Sequence, residues 1–193
     1  MDSLFDDQGR IVPVTILEAG PVKITQVKTK DKDGYSSVQV GFGTRRKISK
    51  PLQGHLKHLG NLRYLKEFRA RDEKNLVDYE VGKEIKADIF EPGEVVKIKG
   101  ISIGKGFQGV VKRHGFHGTH TTHGNKDQLR TSGSIGATTP QHVIKGRKMA
   151  GRTGGRQVTL KNVKIVKIDK DQNLIYVKGA VPGKKGTVVE IFN

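Results

Sequence analysis

Residues 104–156 read GKGFQGVVKRHGFHGTHTTHGNKDQLRTSGSIGATTPQHVIKGRKMAGRTGGR. The stretch sets ten lysines and arginines and twelve glycines against a single acid, Asp127. Its apolar residues follow neither the two-residue period of a strand nor the 3.6-residue period of a helix. Such a segment buries too little apolar surface to offset the conformational entropy lost on ordering, least of all at its glycines. Strand-like sequence lies on either side, EVVKIKGISI at 94–103 and QVTLKNVKIVKID at 157–169. The expected chain is therefore a mainly β body, residues 1–103 with 157–193, interrupted late by a cationic arm over 104–156. A coreless cationic insertion takes its shape from a partner, and its charge makes that partner a polyanion.

The rest of the composition agrees. Over 193 residues, 36 lysines and arginines face 19 acids for a net charge of +17, which makes nucleic acid the first expected partner and acidic lipid the second. Hydrophobic residues are only 34%, but 25 glycines account for much of the deficit, so a core is possible outside the arm. Cysteine is absent, which excludes disulfides and thiolate zinc sites. The amino terminus, MDSLFDDQGR, is acidic and lacks a signal peptide's apolar run, and no apolar stretch approaches the ~20 residues of a membrane span. The chain reads as soluble and intracellular.

Outward from the arm, β-branched alternation predicts strands over 11–18, 22–29 and 35–42, joined as a meander with a turn at Ala19-Gly20-Pro21 and a loop at 30–34. Pro13 lacks an N–H and argues that the first of these is an edge strand or begins there. Thr44-Arg45-Arg46-Lys47 is a basic cluster. Ser49-Lys50-Pro51 starts a short helical insertion at about 50–60, with Ser49 as cap, Leu52, Leu56 and Leu59 at helical spacing, and Gly60-Asn61 as its end. Further strands are expected over 63–69, 83–90 and 94–103, with a polar turn at 72–75 and a tight turn at Glu91-Pro92-Gly93. Past the arm, 157–169 and 173–181 form a hairpin around Lys170-Asp171-Gln172, and 187–192 is a last strand after a turn at 182–186.

Several motifs invite sharper chemistry. Gly104 to Gly109 fits GxGxxG, with Asp127 beyond it, but the following glycines and threonines predict no crossover helix and Asp127 falls in polar loop. The glycines more simply let backbone approach phosphate. His114, His117, His120 and His123 recur every third residue, yet glycine and threonine separate them and Asp127 is the one nearby acid to orient a metal-bound ring, so RNA contact or solvated loop fits them better. Ser132 and Ser134 have histidines nearby but no acid to complete a triad. Lys97, Lys99, Lys161, Lys164 and Lys167 alternate with core positions and read equally well as a solvated face. With Phe107 and Phe116 as its only aromatic rings, the arm is no stacking platform for single strands, and a folded RNA read by shape and backbone suits it better. No residue is assigned to catalysis, a metal or a cofactor.

At GKGFQGVVKRHGF (104–116), HGN (123–125), GSIG (133–136), KGRKMAG (145–151), KGAVPGKKG (178–186) and FDDQGRIVPVTILEAGP (5–21) the chain strongly resembles the bacterial form of universal large-subunit ribosomal protein three, over nearly its whole length. The resemblance implies a translation-factor-like Greek-key β-barrel on the subunit surface, with a long irregular extension threading ribosomal RNA toward the peptidyl transferase centre. It also implies early binding that helps nucleate subunit assembly. Carried onto this chain, the tip lies around Ser132-Gly133-Ser134-Ile135-Gly136. The expected RNA-binding set is Arg45, Arg46, Lys47, Lys105, Lys112, Arg113, His114, His117, His123, Asn125, Lys126, Arg130, Ser134, Lys145, Arg147, Lys148, Arg152 and Arg156. Expected partners are large-subunit ribosomal RNA and neighbouring ribosomal proteins, without a membrane or homo-oligomer. Two departures stand out. Family members typically carry a further glycine-rich first strand ending at a methionine aligned with Met1, which implies a barrel with that strand lacking or shortened. Many also carry, after GSIG, a glutamine methylated on its amide; Ala137 stands there instead, so that modification is not expected. A nonspecific RNA-annealing protein and an enzyme using the GxGxxG-like loop or the histidines are the competing readings, separable by copurification with the subunit and by cofactor or zinc titration.

Overall fold

The computed structural model describes residues 2–6, 8–70 and 79–193, so the polar turn expected at 72–75 lies outside the described residues. The mainly β expectation is met: the described elements are twelve strands, three short α-helices and two 3-10 turns. The chain divides into two compact units, residues 1–96 with 162–180 and 193, and residues 97–161 with 181–192.

In the first unit, β1 (Asp2–Phe5), β2 (Ile11–Glu18), β11 (Leu174–Lys178) and β10 (Gln157–Asp169) are neighbours in that order. Every pairing among them is antiparallel. Opposed residues of an antiparallel pair share a face, so Ile165, Val177 and Thr15 form one row, with Ile175 two residues along. Ile165, Ile175 and Val177 are fully buried. A second sheet holds β5 (Leu62–Arg69), β4 (Ser37–Thr44), β3 (Val22–Lys28) and β6 (Glu84–Ile85) in that order. One face of it packs Ile24 and Val38 with Val27, Val40, Ala70 and Ile85.

Four details correct the sequence reading. The meander fails at its first link, because β2 has both edges taken by β1 and β11 while β3 and β4 pair in the other sheet. For the same reason Pro13 is not on an edge strand. Its carbonyl accepts from Gly179 N–H (2.8 Å), so its missing donor faces the end of β11, where the ladder stops and costs nothing. The loop over 30–34 contains one helical turn, α1 (Lys30–Asp33), closed by Gly34 at φ +78° with its N–H on the Lys30 carbonyl. The strand expected over 83–90 shrinks to Glu84–Ile85. Past it the Ala87 N–H turns to the Asn173 side-chain oxygen (3.4 Å), and 87–89 coil into a 3-10 turn.

The helical insertion forms where expected, as α2 (Lys50–Leu56) running into a 3-10 turn over 57–59 and stopping at Gly60, φ +90°. Ser49 stands at the cap position without its side-chain hydrogen bond. In the second unit, β12 (Val189–Phe192) pairs antiparallel with β7 (Val95–Ile101), Ile191 opposite the buried Ile98. On the outward face Lys99 meets Glu190 at 3.1 Å.

Candidate nucleic-acid interface

Within the second unit the arm begins as a narrow two-limbed ribbon. Ser102 N–H donates to the Arg156 carbonyl (2.9 Å) and Gly155 N–H to the Ser102 carbonyl (3.1 Å). The Ser102 hydroxyl also reaches the Arg156 carbonyl, at 3.1 Å. Lys105 N–H then bonds the Thr153 carbonyl (2.8 Å), and Thr153 N–H the Gly106 carbonyl (2.9 Å). The limbs continue as a two-residue ladder, β8 (Phe107–Gln108) against β9 (Gly151–Arg152). Gly154 permits the approach: its φ is +73°, and a Cβ there would overlap the Ile103 carbonyl oxygen.

Beyond the ladder, α3 (Val110–His114) forms and ends at Gly115, φ +73°. The GxGxxG-like run thus leads into a helix that sequence reasoning did not expect, but one of five residues, far short of a crossover helix. Arg113 Nη1 (2.6 Å) and His114 Nε2 (3.0 Å) both donate to the Met149 carbonyl, tying this helix to the returning limb. Because a carbonyl only accepts, the His114 proton sits on Nε2.

Farther out, the outgoing limb closes on itself between Gly118 and Thr131. Asn125 Nδ2 donates to the Thr119 hydroxyl (2.7 Å) and the His120 carbonyl (2.5 Å), while the Thr119 hydroxyl donates to the Gln128 carbonyl (2.7 Å). Gly118, at φ +71°, lies so close to the Leu129 carbonyl that a Cβ would collide with it. At the tip, Arg147 Nη2 donates to the Ser134 carbonyl (2.7 Å), and the Ser134 hydroxyl to that of Gly136 (3.0 Å).

Two classes emerge from the expected arm residues. Arg113, His114, Asn125, Ser134 and Arg147 use polar atoms internally and hold the limbs together. Lys105, Lys112, His117, Lys126, Arg130, Lys145, Lys148, Arg152 and Arg156 are exposed, and His123 with them. Among the described residues no arm lysine or arginine meets a carboxylate; the ion pairs lie elsewhere, at Arg10–Asp6, Lys23–Glu84, Lys28–Glu67 and Lys99–Glu190. Of residues 104–156, Val110 alone is buried. No three or more metal-ligand side chains converge among the described residues, the arm's histidines included. Sequence reasoning missed Ser102 and Met149, which clamp the limbs through atoms that carry no sequence signal.

Arg45, Arg46 and Lys47 lie in the other unit, exposed between β4 and α2. Asn61 fixes their backbone: its carbonyl accepts from Arg45 N–H (2.9 Å), and its Nδ2 approaches the Arg46 carbonyl (3.4 Å). Lys50 and Lys57 on the helical insertion and Arg63 at the start of β5 are exposed too and were not singled out as RNA contacts. Their signal was legible: between Asp33 and Glu67 the chain has no acid.

A family model described as ribosomal protein L3 matches residues 72–173. The chain is 49% identical to the large ribosomal subunit protein uL3 of Herpetosiphon aurantiacus, over 99% of this chain and 91% of that protein. It is 50% identical to that of Prochlorococcus marinus (strain NATL2A), over 99% and 88%. Against that of Pelotomaculum thermopropionicum the figures are 49%, over 99% and 91%.

Proposed function

Since the chain belongs to the uL3 family of large ribosomal subunit proteins, a structural family and not an enzyme family, we propose that it binds large-subunit ribosomal RNA through residues 104–156 and supports early subunit assembly. The body, residues 1–103 with 157–193, sits among neighbouring ribosomal proteins of the cytoplasmic ribosome, and the arm runs into folded RNA toward the peptidyl transferase centre. The observation that carries this reading is the arm's exposure: ten cations, one acid and one buried side chain in 53 residues. Unpaired positive charge on a segment without a core is self-repelling until phosphate neutralises it and counterions leave. The exposed lysines and arginines take the phosphates, His117 and His123 lie beside the RNA's polar edges, and glycines let backbone come close. Arg113, His114 and Arg147 shape the limbs that present them.

If six to ten phosphates are engaged, raising salt from ~50 to ~200 mM weakens binding to large-subunit ribosomal RNA by about 10³–10⁵-fold, taking duplex DNA as the guide. Filter binding across that range is the check, and a salt-insensitive affinity would refute the reading. Among the described residues no helix is long and apolar enough to cross a membrane.

A further inference from the structure

The acid-free run between Asp33 and Glu67 carries Arg45, Arg46, Lys47, Lys50, Lys57 and Arg63 on and beside the helical insertion, every one of them exposed and none in an ion pair among the described residues. Elsewhere in the same unit, lysines are interleaved with acids: Lys30 and Lys32 with Asp31 and Asp33, Lys86 with Glu84 and Asp88, Lys170 with Asp169 and Asp171. The contrast is local, and so is the field it creates.

What separates this surface from the arm is that it stands on packed side chains, where residues 104–156 bury Val110 alone. Leu56, on the inner side of α2, is 1% exposed, and Leu62 is buried where Gly41 leaves room for it, since a Cβ on Gly41 would collide with the leucine side chain. A chain of polar contacts fastens the helix to the sheet. Gln39 Oε1 accepts from both Thr25 Oγ1 (2.9 Å) and His55 Nε2 (2.7 Å), and Gln39 Nε2 donates to Glu67 (3.2 Å). Glu67 in turn accepts from Lys28 (2.7 Å) and the Tyr35 hydroxyl (2.8 Å). The basic loop is fixed at its other end by Asn61.

We infer that residues 44–63 form a preformed foothold for ribosomal RNA phosphates, which binds without reorganisation and seats the protein before the arm is ordered. The inference rests on the RNA-binding reading above and divides its labour. The arm pays the ordering cost of a coreless segment at the moment of binding, whereas a surface held on packed leucines and a glutamine strut does not. Long-range attraction therefore converts to bound contacts first at the insertion.

The test uses the full chain and in vitro transcribed large-subunit ribosomal RNA. A foothold variant (Arg45→Gln, Arg46→Gln, Lys47→Gln, Lys57→Gln) is compared with a charge-matched control (Lys30→Gln, Lys32→Gln, Lys86→Gln, Lys170→Gln) and with the parent. Each lost phosphate contact lowers the slope of log K against log salt by about 0.7–0.9, so the foothold variant, with four cations removed, loses up to about 3.6 in slope. Its affinity at ~100 mM salt falls by at least about tenfold, and its association rate falls more than that of the control. Because none of the substituted side chains holds an ion pair in the described structure and all are exposed, both variants are expected to keep the parent's circular dichroism and melting temperature. Zero-length crosslinking of the parent–RNA complex should recover RNA on peptides spanning 44–63. Equal affinities and slopes for the two variants, or crosslinks from this surface to a neighbouring ribosomal protein in the assembled subunit instead of to RNA, would overturn the foothold while leaving the arm's role standing. A parent that fails to bind the RNA at all would remove both.

Discussion

Gly154 and Gly136 differ in what the fold asks of them. Gly154 sits at φ +73° against the Ile103 carbonyl, where an added Cβ has no room, whereas Gly136 has open space around it and no positive φ. Gly154→Ala is therefore expected to weaken the base of the arm by about 1–3 kcal/mol, through left-handed strain and the overlap together. Gly136→Ala changes local stability by less than about 0.5 kcal/mol. Hydrogen exchange separates the two: the amides of Lys105, Thr153 and Gly155, which bond across the ribbon, lose protection in the first variant only. Glycine count alone could not rank these positions, because both belong to one glycine-rich run. Similarly, Arg113 and Lys112 are adjacent cations with different work, one donating to Met149 and the other facing solvent.

At the scale of elements, the Glu67 carboxylate of β5 gathers Lys28 of β3 and Gln39 of β4, strands that also pair through their backbones, and Gln39 in turn takes His55 of α2. The Lys28 ammonium beside Glu67, and then the Tyr35 hydroxyl, hold its pKa below the ordinary glutamate value, while the same pairing raises that of Lys28. A depressed folded pKa means stability present above the unfolded pKa, near 4.3, and lost as pH falls through the folded value. The stability gap between the parent and Glu67→Gln is thus full at about pH 6 and closes on acidification below about pH 4. Urea denaturation at a series of pH values reads the gap directly; one that widened in acid would show that another group controls the network. The partners stand on residues 28, 35, 39 and 67, so the element pairing that joins them could not be read from any local window.

For the whole molecule, the division of labour predicts what survives loss of the arm. Deleting 106–154 removes a single buried side chain, Val110, and leaves every other core residue in place. The shortened chain is expected to unfold cooperatively near the parent's melting temperature and to bind ribosomal RNA poorly, with affinity and thermal melts measured side by side. Cooperative unfolding lost along with the arm would mean that it belongs to the core. The same balance explains why function was legible early. Composition and the acid-free runs report long-range electrostatics, which depend on which charges the chain carries more than on how it folds.

Local pattern carried much of the fold as well. Alternating β-branched residues predicted β2, β7 and β10, whose ends fall within a few residues of expectation, and Ser49-Lys50-Pro51 with Gly60 bounded the helical insertion. β1 gave no such signal in its acidic setting, and it forms because β2 offers a partner edge. Propensity and periodicity are properties of neighbouring residues, so a single chain determines them by itself. Which strands become neighbours is different. The move of β2 away from β3, the shrinking of the 83–90 strand once Asn173 captured Ala87, and the clamp of Arg113 and His114 on Met149 all join residues far apart in sequence. Those choices belong to the tertiary structure, because only there do hydrogen-bond donors and acceptors from distant segments compete for the same partners.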